Sequence, residues 1–277
     1  MTYFDGVRRR VPGFVKAAVL SLRRRAALRR VRRVTSGDAR TAALLRAVER
    51  SLRGGLEPEE RAWILRLAEL RRRLRRSRER ILVPGADPAA AQTVRERYLF
   101  SKSELASLLL FRLVREFRPA RCLELGTNVG VSAAYQAAAL ALNGGGELHT
   151  VEMSPPLAEL SRVHLASVGL AAEVHTGRFA DVLPALLART APLDYVFIDG
   201  HHDGPATVGY FAQIHPSLRP GALVVFDDIA WSSGMAEAWA TIQADPRVRV
   251  AVGLGTMGAC IVGGEGDAIR IDLPIPG

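Results

Sequence analysis

The stretch that decides the fold reads Arg121-Cys-Leu-Glu-Leu-Gly-Thr-Asn-Val-Gly-Val-Ser132. Its apolar run at 122–125 is typical of a buried parallel strand, which Gly126 interrupts. Residues 129–142 predict a helix that ends at a run of glycines. A strand, a glycine turn and a helix start form a nucleotide pocket at the carboxyl edge of an open α/β sheet. Glu124 lies inside the apolar strand, where an unpaired charge is costly, so we expect it to face a cationic or hydrogen-bonding ligand.

Strands and helices alternate after this stretch, which predicts a three-layer α/β sandwich. Further strands are predicted at 147–152, 172–175, 193–198 and 222–226, with helices at 157–168, 181–189, 205–214 and 235–244. Residues 248–254 and 259–262 leave no room for a helix between them, so they predict an antiparallel hairpin at the sheet edge. The prediction is a mostly parallel, seven-stranded sheet that ends in this hairpin, preceded by an N-terminal helical arm.

The glycines of the first turn are spaced Gly-x-x-x-Gly, which differs from the Gly-x-Gly-x-x-Gly of dinucleotide-binding folds and argues against a nicotinamide oxidoreductase. Residues 124–132, Glu-Leu-Gly-Thr-Asn-Val-Gly-Val-Ser, resemble the first motif of class I S-adenosylmethionine (SAM)-dependent methyltransferases. The resemblance covers roughly Ser101 to Val262 and is closest to the catechol and caffeoyl-CoA O-methyltransferases and related small bacterial enzymes. It implies SAM as the cofactor.

An acid at the end of the second strand, Glu152, can accept hydrogen bonds from both hydroxyls of a ribose. The alternative is a polar residue that merely ends the strand. Together with the resemblance, this predicts a set of cofactor-binding residues: Glu124, Gly126, Thr127, Asn128, Gly130, Ser132, Glu152, Gly177, Arg178, Phe179, Asp199 and His201. Within this set, the resemblance places Phe179 and its neighbours beside the adenine, although a core position is the competing interpretation of that ring.

Carboxylates follow two predicted strands, with Asp199 after the fourth and Asp227-Asp228 after the fifth. Neighbouring strand ends lie about 5 Å apart, so the three carboxylates are predicted to converge. Like charges that close require a cation or raise each other's pKa, and oxygen ligands favour Mg²⁺ or another hard divalent cation. Similar metal-dependent O-methyltransferases have an Asp at the place of Asp199 and an Asp-Asn or Asp-Asp pair at the place of Asp227-Asp228. The alternative is that Asp199 caps a turn and the Asp pair is solvated.

His202 stands where the catechol branch has a lysine base, and a histidine serves as a base near neutral pH. His202 and Asp199 are therefore the predicted catalytic residues. The change from lysine weakens the case for a catechol acceptor. The predicted reaction is O-methylation of a small-molecule hydroxyl on a sugar, polyol or phenol, with divalent-metal assistance.

Basic residues concentrate at the N-terminus: residues 1–80 hold 24 of the 38 Lys and Arg but 8 of the 28 Asp and Glu. We predict an arginine-rich helical arm at 1–84 and a methyltransferase domain at 85–277. The arm is interpreted as a solvated or core-covering segment, an anionic-membrane binder, or a nucleic-acid binder. Nucleic acid is disfavoured because no aromatic residues interleave the arginines. An apolar stripe, Trp63, Leu67, Leu70 and Leu74, predicts packing on the catalytic domain or a homodimer.

Two cysteines in apolar runs, together with the absence of a spanning segment and a secretory signal, predict a cytoplasmic protein, with peripheral membrane association left open. Two further functions stay open. One is a nucleic-acid methyltransferase that uses the basic arm, although the fourth strand ends in Asp-Gly-His-His and lacks the Asn/Asp-Pro-Pro-Tyr pattern of base N-methylation. The other is a membrane- or partner-docking protein with a vestigial cofactor pocket.

Overall fold

The computed structural model describes residues 13–34, 38–82, 91–264 and 268–273. The predicted boundary between the arm and the domain, at residues 84 and 85, lies outside these residues. The helices are α1 Gly13–Arg33, α2 Ala39–Arg53, α3 Pro58–Arg76, α4 Val94–Tyr98, α5 Glu104–Phe117, α6 Val131–Leu142, α7 Pro155–Ser167, α8 Phe179–Thr190, α9 Gly204–Ile214 and α10 Ser233–Ala244. The strands are β1 Arg121–Leu125, β2 Glu147–Glu152, β3 Glu173–Thr176, β4 Leu193–Ile198, β5 Leu218–Phe226, β6 Val248–Leu254, β7 Met257–Val262 and β8 Ile269–Asp272.

The eight strands form one sheet in the order β3-β2-β1-β4-β5-β7-β6-β8. Strands β1 to β5 are parallel, and β7 runs antiparallel to both β5 and β6. The predicted fold class is confirmed, but the sheet has eight strands and not seven. The predicted hairpin β6–β7 is present, yet it is not the sheet edge, because β8 pairs in parallel with β6.

Helices cover both faces of the sheet, as the alternation along β4 requires. Tyr195 and Phe197 point into a core shared with α2, α3, α5 and α6, whereas Val196 and Ile198 point into a second core under α8, α9 and α10. All four side chains are buried. Because both faces are covered, the open carboxyl ends of the parallel strands remain as the place for a ligand.

The N-terminal helices belong to the first of these cores. Helix α2 packs on α5, α3 packs on α6, and the stripe residues Leu67, Leu70 and Leu74 are buried there. The first of the two partners predicted for this stripe, the rest of the same chain, is therefore the one that the structure supplies. None of the described helices has both the length and the apolar character needed to span a bilayer.

Candidate active site

A cavity of about 610 Å³ opens at the carboxyl ends of β1, β2 and β4. Its wall combines backbone turns, three basic side chains and several aromatic rings. The lining residues are Arg97, Phe100, Ser101, Lys102, Gly126, Thr127, Asn128, Val131, Ser132, Val151, Glu152, Met153, Arg178, Phe179, Ala180, Asp199, Gly200, His201, His202 and Tyr210. Of the predicted cofactor-binding residues, Glu124, Gly130 and Gly177 do not reach this wall.

The turn after β1 requires glycine because its backbone passes close to the backbone at the end of the neighbouring strand β4. Gly126 has φ of 102°, and a Cβ at this position would overlap the backbone carbonyl of Asp199. The Gly126 N–H donates to Val151 O at 3.0 Å, and the Asp199 N–H donates to Leu125 O at 2.9 Å. These bonds join β1 to β2 and to β4 at the cavity floor. Because Gly126 has no side chain, a ligand in the cavity can approach the backbone closely there.

Glu152 is held in place by backbone N–H groups of the surrounding turns. Asn128 N–H donates to Oε2 at 2.8 Å, and Ser154 N–H donates to Oε1 at 2.9 Å. Each carboxylate oxygen keeps a further lone pair for a ligand hydroxyl. This geometry suits the predicted ribose contact.

Glu124 is fully buried behind the cavity, which corrects the expectation that it faces a ligand. Its carboxylate accepts hydrogen bonds from Thr150 Oγ1 at 2.6 Å and Gln136 Nε2 at 2.7 Å. Burial raises the pKa of Glu124 to about 7, although these bonds oppose the rise. Thr127, on the cavity wall, shares a 2.6 Å hydrogen bond with Thr150. Glu124 therefore acts on the pocket only through its neighbours.

Aromatic side chains form the opposite side of the cavity. The Phe179 and Tyr210 rings meet edge to face with centroids 5.3 Å apart, and the Tyr210 hydroxyl lies 2.9 Å from His201 Nδ1. Met153 is exposed beside them. Apolar faces of this kind suit a purine base.

Three buried polar atoms at the cavity, Arg97 Nε, Ser101 Oγ and Asn128 Oδ1, have no hydrogen-bond partner among the described residues. Such atoms are costly to leave unpaired, and a polar ligand removes the cost. Together with the glycine floor, the Glu152 carboxylate and the aromatic side, they make the cavity a fit for an adenosine-type cofactor.

The three predicted metal ligands do not form one site. The Lys102 ammonium lies between Asp199 and Asp227, 3.1 Å from Asp199 Oδ1 and in direct contact with Asp227 Oδ2. Asp228 instead pairs with His202, with Oδ2 3.2 Å from Nδ1. Burial raises the pKa of Asp199, and the Lys102 ammonium opposes that rise. The sequence predicted a metal ion between Asp199, Asp227 and Asp228, but the ammonium of Lys102 lies between the first two of these carboxylates. The residues in this arrangement do not fit a bound metal.

A metal-type cluster does occur elsewhere in the described part of the chain. His149, Glu173 and His175 bring ligand atoms close together on β2 and β3, and they lie outside the cavity lining. Arg189 already donates to Glu173 Oε1 at 2.7 Å. Metal bound by this cluster would add to any metal bound at the cavity, so a measurement of metal binding needs a variant that lacks the cluster.

The His202–Asp228 pair sits on unusual backbone. His202 has φ of 41° and Asp228 has φ of 52°, and His201 and Asn128 are also left-handed. Non-glycine residues in this region cost about 1–3 kcal/mol each, and such strain concentrates at functional sites. The ring of the exposed Trp231 lies 6.5 Å from that of His202, between centroids. The imidazole thus stands between the cavity and an aromatic rim.

Several of these residues were not predicted from sequence. Tyr210 and Trp231 give no signal, since isolated aromatics are common in helices and loops. Lys102 carries one: the chain has 38 Lys and Arg residues, and only two of them are lysines. Lys102 is one of these two, and its compact ammonium is not interchangeable with the planar guanidinium of an arginine.

A family profile described as a methyltransferase domain matches residues 123–229. A catechol O-methyltransferase of Mycobacterium tuberculosis is 33% identical over 160 residues, which cover 54% of this chain and 69% of that protein. The chain belongs to the class I SAM-dependent O-methyltransferases.

Other O-methyltransferases agree with this assignment. A catechol O-methyltransferase of Niastella koreensis is 38% identical over 110 residues, 39% of this chain. The chain spans about half the length of that relative, 48%. The crystal structure of the O-methyltransferase TomG from Streptomyces achromogenes, in complex with SAM, is 30% identical with a TM-score of 0.52, covering 59% of this chain and 82% of TomG. A Bacillus cereus O-methyltransferase bound to SAH shares the fold at 22% identity, with a TM-score of 0.54 and coverage of 78% and 97%.

Proposed function

We propose that this chain transfers the methyl group of SAM to a hydroxyl of a small-molecule acceptor held at the mouth of the cavity. The observation that carries the proposal is the His202–Asp228 pair beside a cavity fitted for an adenosine-type cofactor. When bound, SAM supplies a methyl group activated by its sulfonium. The chain supplies alignment, which contributes about 7–11 kcal/mol to lowering such barriers.

His202 is the proposed base. His202 Nδ1 lies 3.2 Å from Asp228 Oδ2, so the tautomer with its proton on Nδ1 faces the carboxylate and leaves Nε2 as the proton acceptor. As the acceptor oxygen bonds to the methyl carbon, the carbon–sulfur bond breaks and the hydroxyl proton passes to His202 Nε2. Asp228 stabilises the imidazolium that forms, so its predicted role changes from metal ligand to partner of the base.

Of the predicted acceptor classes, phenols are favoured over sugars and polyols. Phe100 lines the cavity and is 67% exposed, and Trp231, whose ring lies 6.5 Å from that of His202, is 73% exposed, so aromatic faces near the cavity are open to an arriving molecule. A planar acceptor gains more from such faces than a polyol does. The predicted divalent metal is not favoured by the pairing of Asp199 and Asp227 with Lys102 and of Asp228 with His202.

The test is methyl transfer from labelled SAM to a panel of phenols, catechols, sugars and polyols. Removing the base by His202→Gln is expected to lower kcat about 10²–10⁴-fold with little change in SAM affinity. His215→Gln, which changes a histidine outside the cavity lining, is the matched control and should keep wild-type turnover. A His202→Gln enzyme with unchanged kcat would exclude this base, and SAM binding without transfer to any hydroxyl would exclude the function.

For the N-terminal helices, the homodimer and the anionic membrane surface stay predictions. Several arginines of α2 are already neutralised within the chain, since Arg46 and Arg50 pair with Glu116 at 3.0 and 2.9 Å. Arg25 and Arg29 of α1 are exposed. Co-sedimentation with anionic vesicles, abolished by Arg25→Glu with Arg29→Glu, would support membrane binding, and light scattering decides the dimer. Neither the nucleic-acid function nor the vestigial pocket gains a specific observation in its favour.

A further inference from the structure

The most unusual arrangement near the cavity is the cation between the ends of β4 and β5. The Lys102 ammonium contacts Asp199 and Asp227, and the three side chains are only 13%, 13% and 3% exposed. Two buried carboxylates at adjacent strand ends need a counter-charge, because ionised groups without one are destabilising. Lys102 supplies that charge from the segment that precedes α5.

The chemistry of the cation also points to a specific role. An ammonium is a compact point charge with three donors, whereas guanidinium is a broad planar fork. Two of the donors are engaged by the carboxylates, and Lys102 also lines the cavity, so one donor is left for an oxygen there. Of the 38 Lys and Arg residues of this chain, only Lys102 and Lys16 are lysines, and Lys102 places a compact ammonium between Asp199 and Asp227.

Lys102 is held in position by the N-terminal part of the chain. Arg71 of α3 donates from Nη2 to the Lys102 carbonyl at 2.8 Å and from Nη1 to Ser107 Oγ at 3.2 Å. Arg71 is itself buried. Helix α3 therefore fixes the backbone from which the ammonium reaches the two carboxylates, which makes Arg71 a positioning residue.

We propose that Lys102 replaces the divalent cation in this chain, so that methyl transfer proceeds without a metal. The inference rests on the proposed function and refines it. The ammonium neutralises Asp199 and Asp227, and its remaining N–H donates to the acceptor oxygen as that oxygen loses its proton to His202. Lys102 stays protonated throughout: the bond formed is carbon–oxygen, the bond broken is carbon–sulfur, and the one proton released goes to the imidazole.

The first experiment measures the metal directly. Mn²⁺ binding is followed by electron paramagnetic resonance in protein carrying His175→Ala, which removes the separate His149–Glu173–His175 cluster. No Mn²⁺ site at the cavity is expected while Lys102 is present, and exhaustive chelation should leave turnover within about twofold of the untreated enzyme. A stoichiometric Mn²⁺ site that is lost in Asp227→Asn, or a tenfold fall on chelation that Mg²⁺ reverses, would overturn the proposal.

The second experiment removes the charge. Lys102→Met should lower kcat about 10²–10³-fold, as loss of one donor to a developing oxyanion does, with the Kd for SAM within about threefold. Lys102→Arg should also be impaired because the fork does not fit between the carboxylates, and Lys16→Met in α1 is the matched control. Full activity in Lys102→Met would refute the role. Because the Mn²⁺ measurement needs no turnover, it decides about Lys102 even if no hydroxyl is methylated and the proposed function fails.

Discussion

The buried acid of β1 offers a quantitative test, through the substitution Glu124→Gln. Burial raises the pKa of Glu124 from 4.5 to about 7 in the folded chain. The folded pKa lies above the unfolded one, so the stability contributed by the protonated group is complete below pH 4.5. It is lost as pH rises through about 7.

The size of the effect follows from the difference between the two pKa values. At 1.36 kcal/mol per pKa unit, the loss between pH 4.5 and 8 is about 3 kcal/mol. The amide that replaces the carboxyl does not titrate, so this part of the pH dependence disappears in the variant. The new amide has a partner available, because Gln136 Oε1 is unpaired in the described structure and can accept from it after a flip of Gln136.

The assay is urea unfolding of wild type and Glu124→Gln at pH 5 and pH 8. The variant should gain about 2.5 kcal/mol relative to wild type between pH 5 and pH 8, since all other titrating groups cancel in the difference. Glu159→Gln, on an exposed glutamate of α7, is the control and should show no such change. A difference between wild type and Glu124→Gln that stays constant within about 1 kcal/mol would refute the account of this acid.

Three further substitutions test the cavity and the core. Gly126→Ala forces a Cβ onto the Asp199 carbonyl at a left-handed φ, so thermal unfolding should show a loss of at least about 2 kcal/mol, whereas Gly55→Ala, with open space around it, should be tolerated. Glu152→Gln replaces two charged acceptor oxygens with one neutral acceptor oxygen, so calorimetry should show SAM binding weakened about tenfold. An unchanged affinity would refute the contact between Glu152 and the ribose. Arg112→Met breaks an ion pair with Glu60 whose two side chains are fully buried, so the free energy of chemical unfolding should fall by about 3–5 kcal/mol. Arg46→Met, at an ion pair whose arginine is exposed, should lower it by less than about 1 kcal/mol, and equal losses in the two variants would contradict this account.

Much of the fold was predictable because its strands are continuous apolar runs bounded by glycine or acids. The parallel strands β1, β2 and β4 lie where the pattern predicted them, and β5 extends the predicted run toward its start at Leu218. Strand β8 was missed because the alternating Ile-Arg-Ile-Asp pattern of Ile269–Asp272 is only four residues long; these residues form a strand by pairing with β6. Long-range pairing of this kind leaves little local signal.

The sequence predicted which residues lie at the site better than it predicted which of them interact with one another. The sequence places Asp199 and Asp227 correctly at adjacent strand ends, but their cation is Lys102, which is 97 and 125 residues away along the chain. Asp228 separates from its neighbour because its backbone is left-handed, with φ of 52°, and this directs its carboxylate to His202. Residue type alone does not reveal such a conformation for an aspartate.

The place of α2 and α3 inside the core has a consequence for how the chain is made. These helices leave the ribosome before α5 and α6, the elements against which their apolar sides are buried. Until residues 104–142 have been synthesised, Leu44, Leu52 and Leu67 lack the partners that α5 and α6 supply in this core. The packing of α2 and α3 is therefore delayed until α5 and α6 are available, and their apolar sides stay exposed during that time.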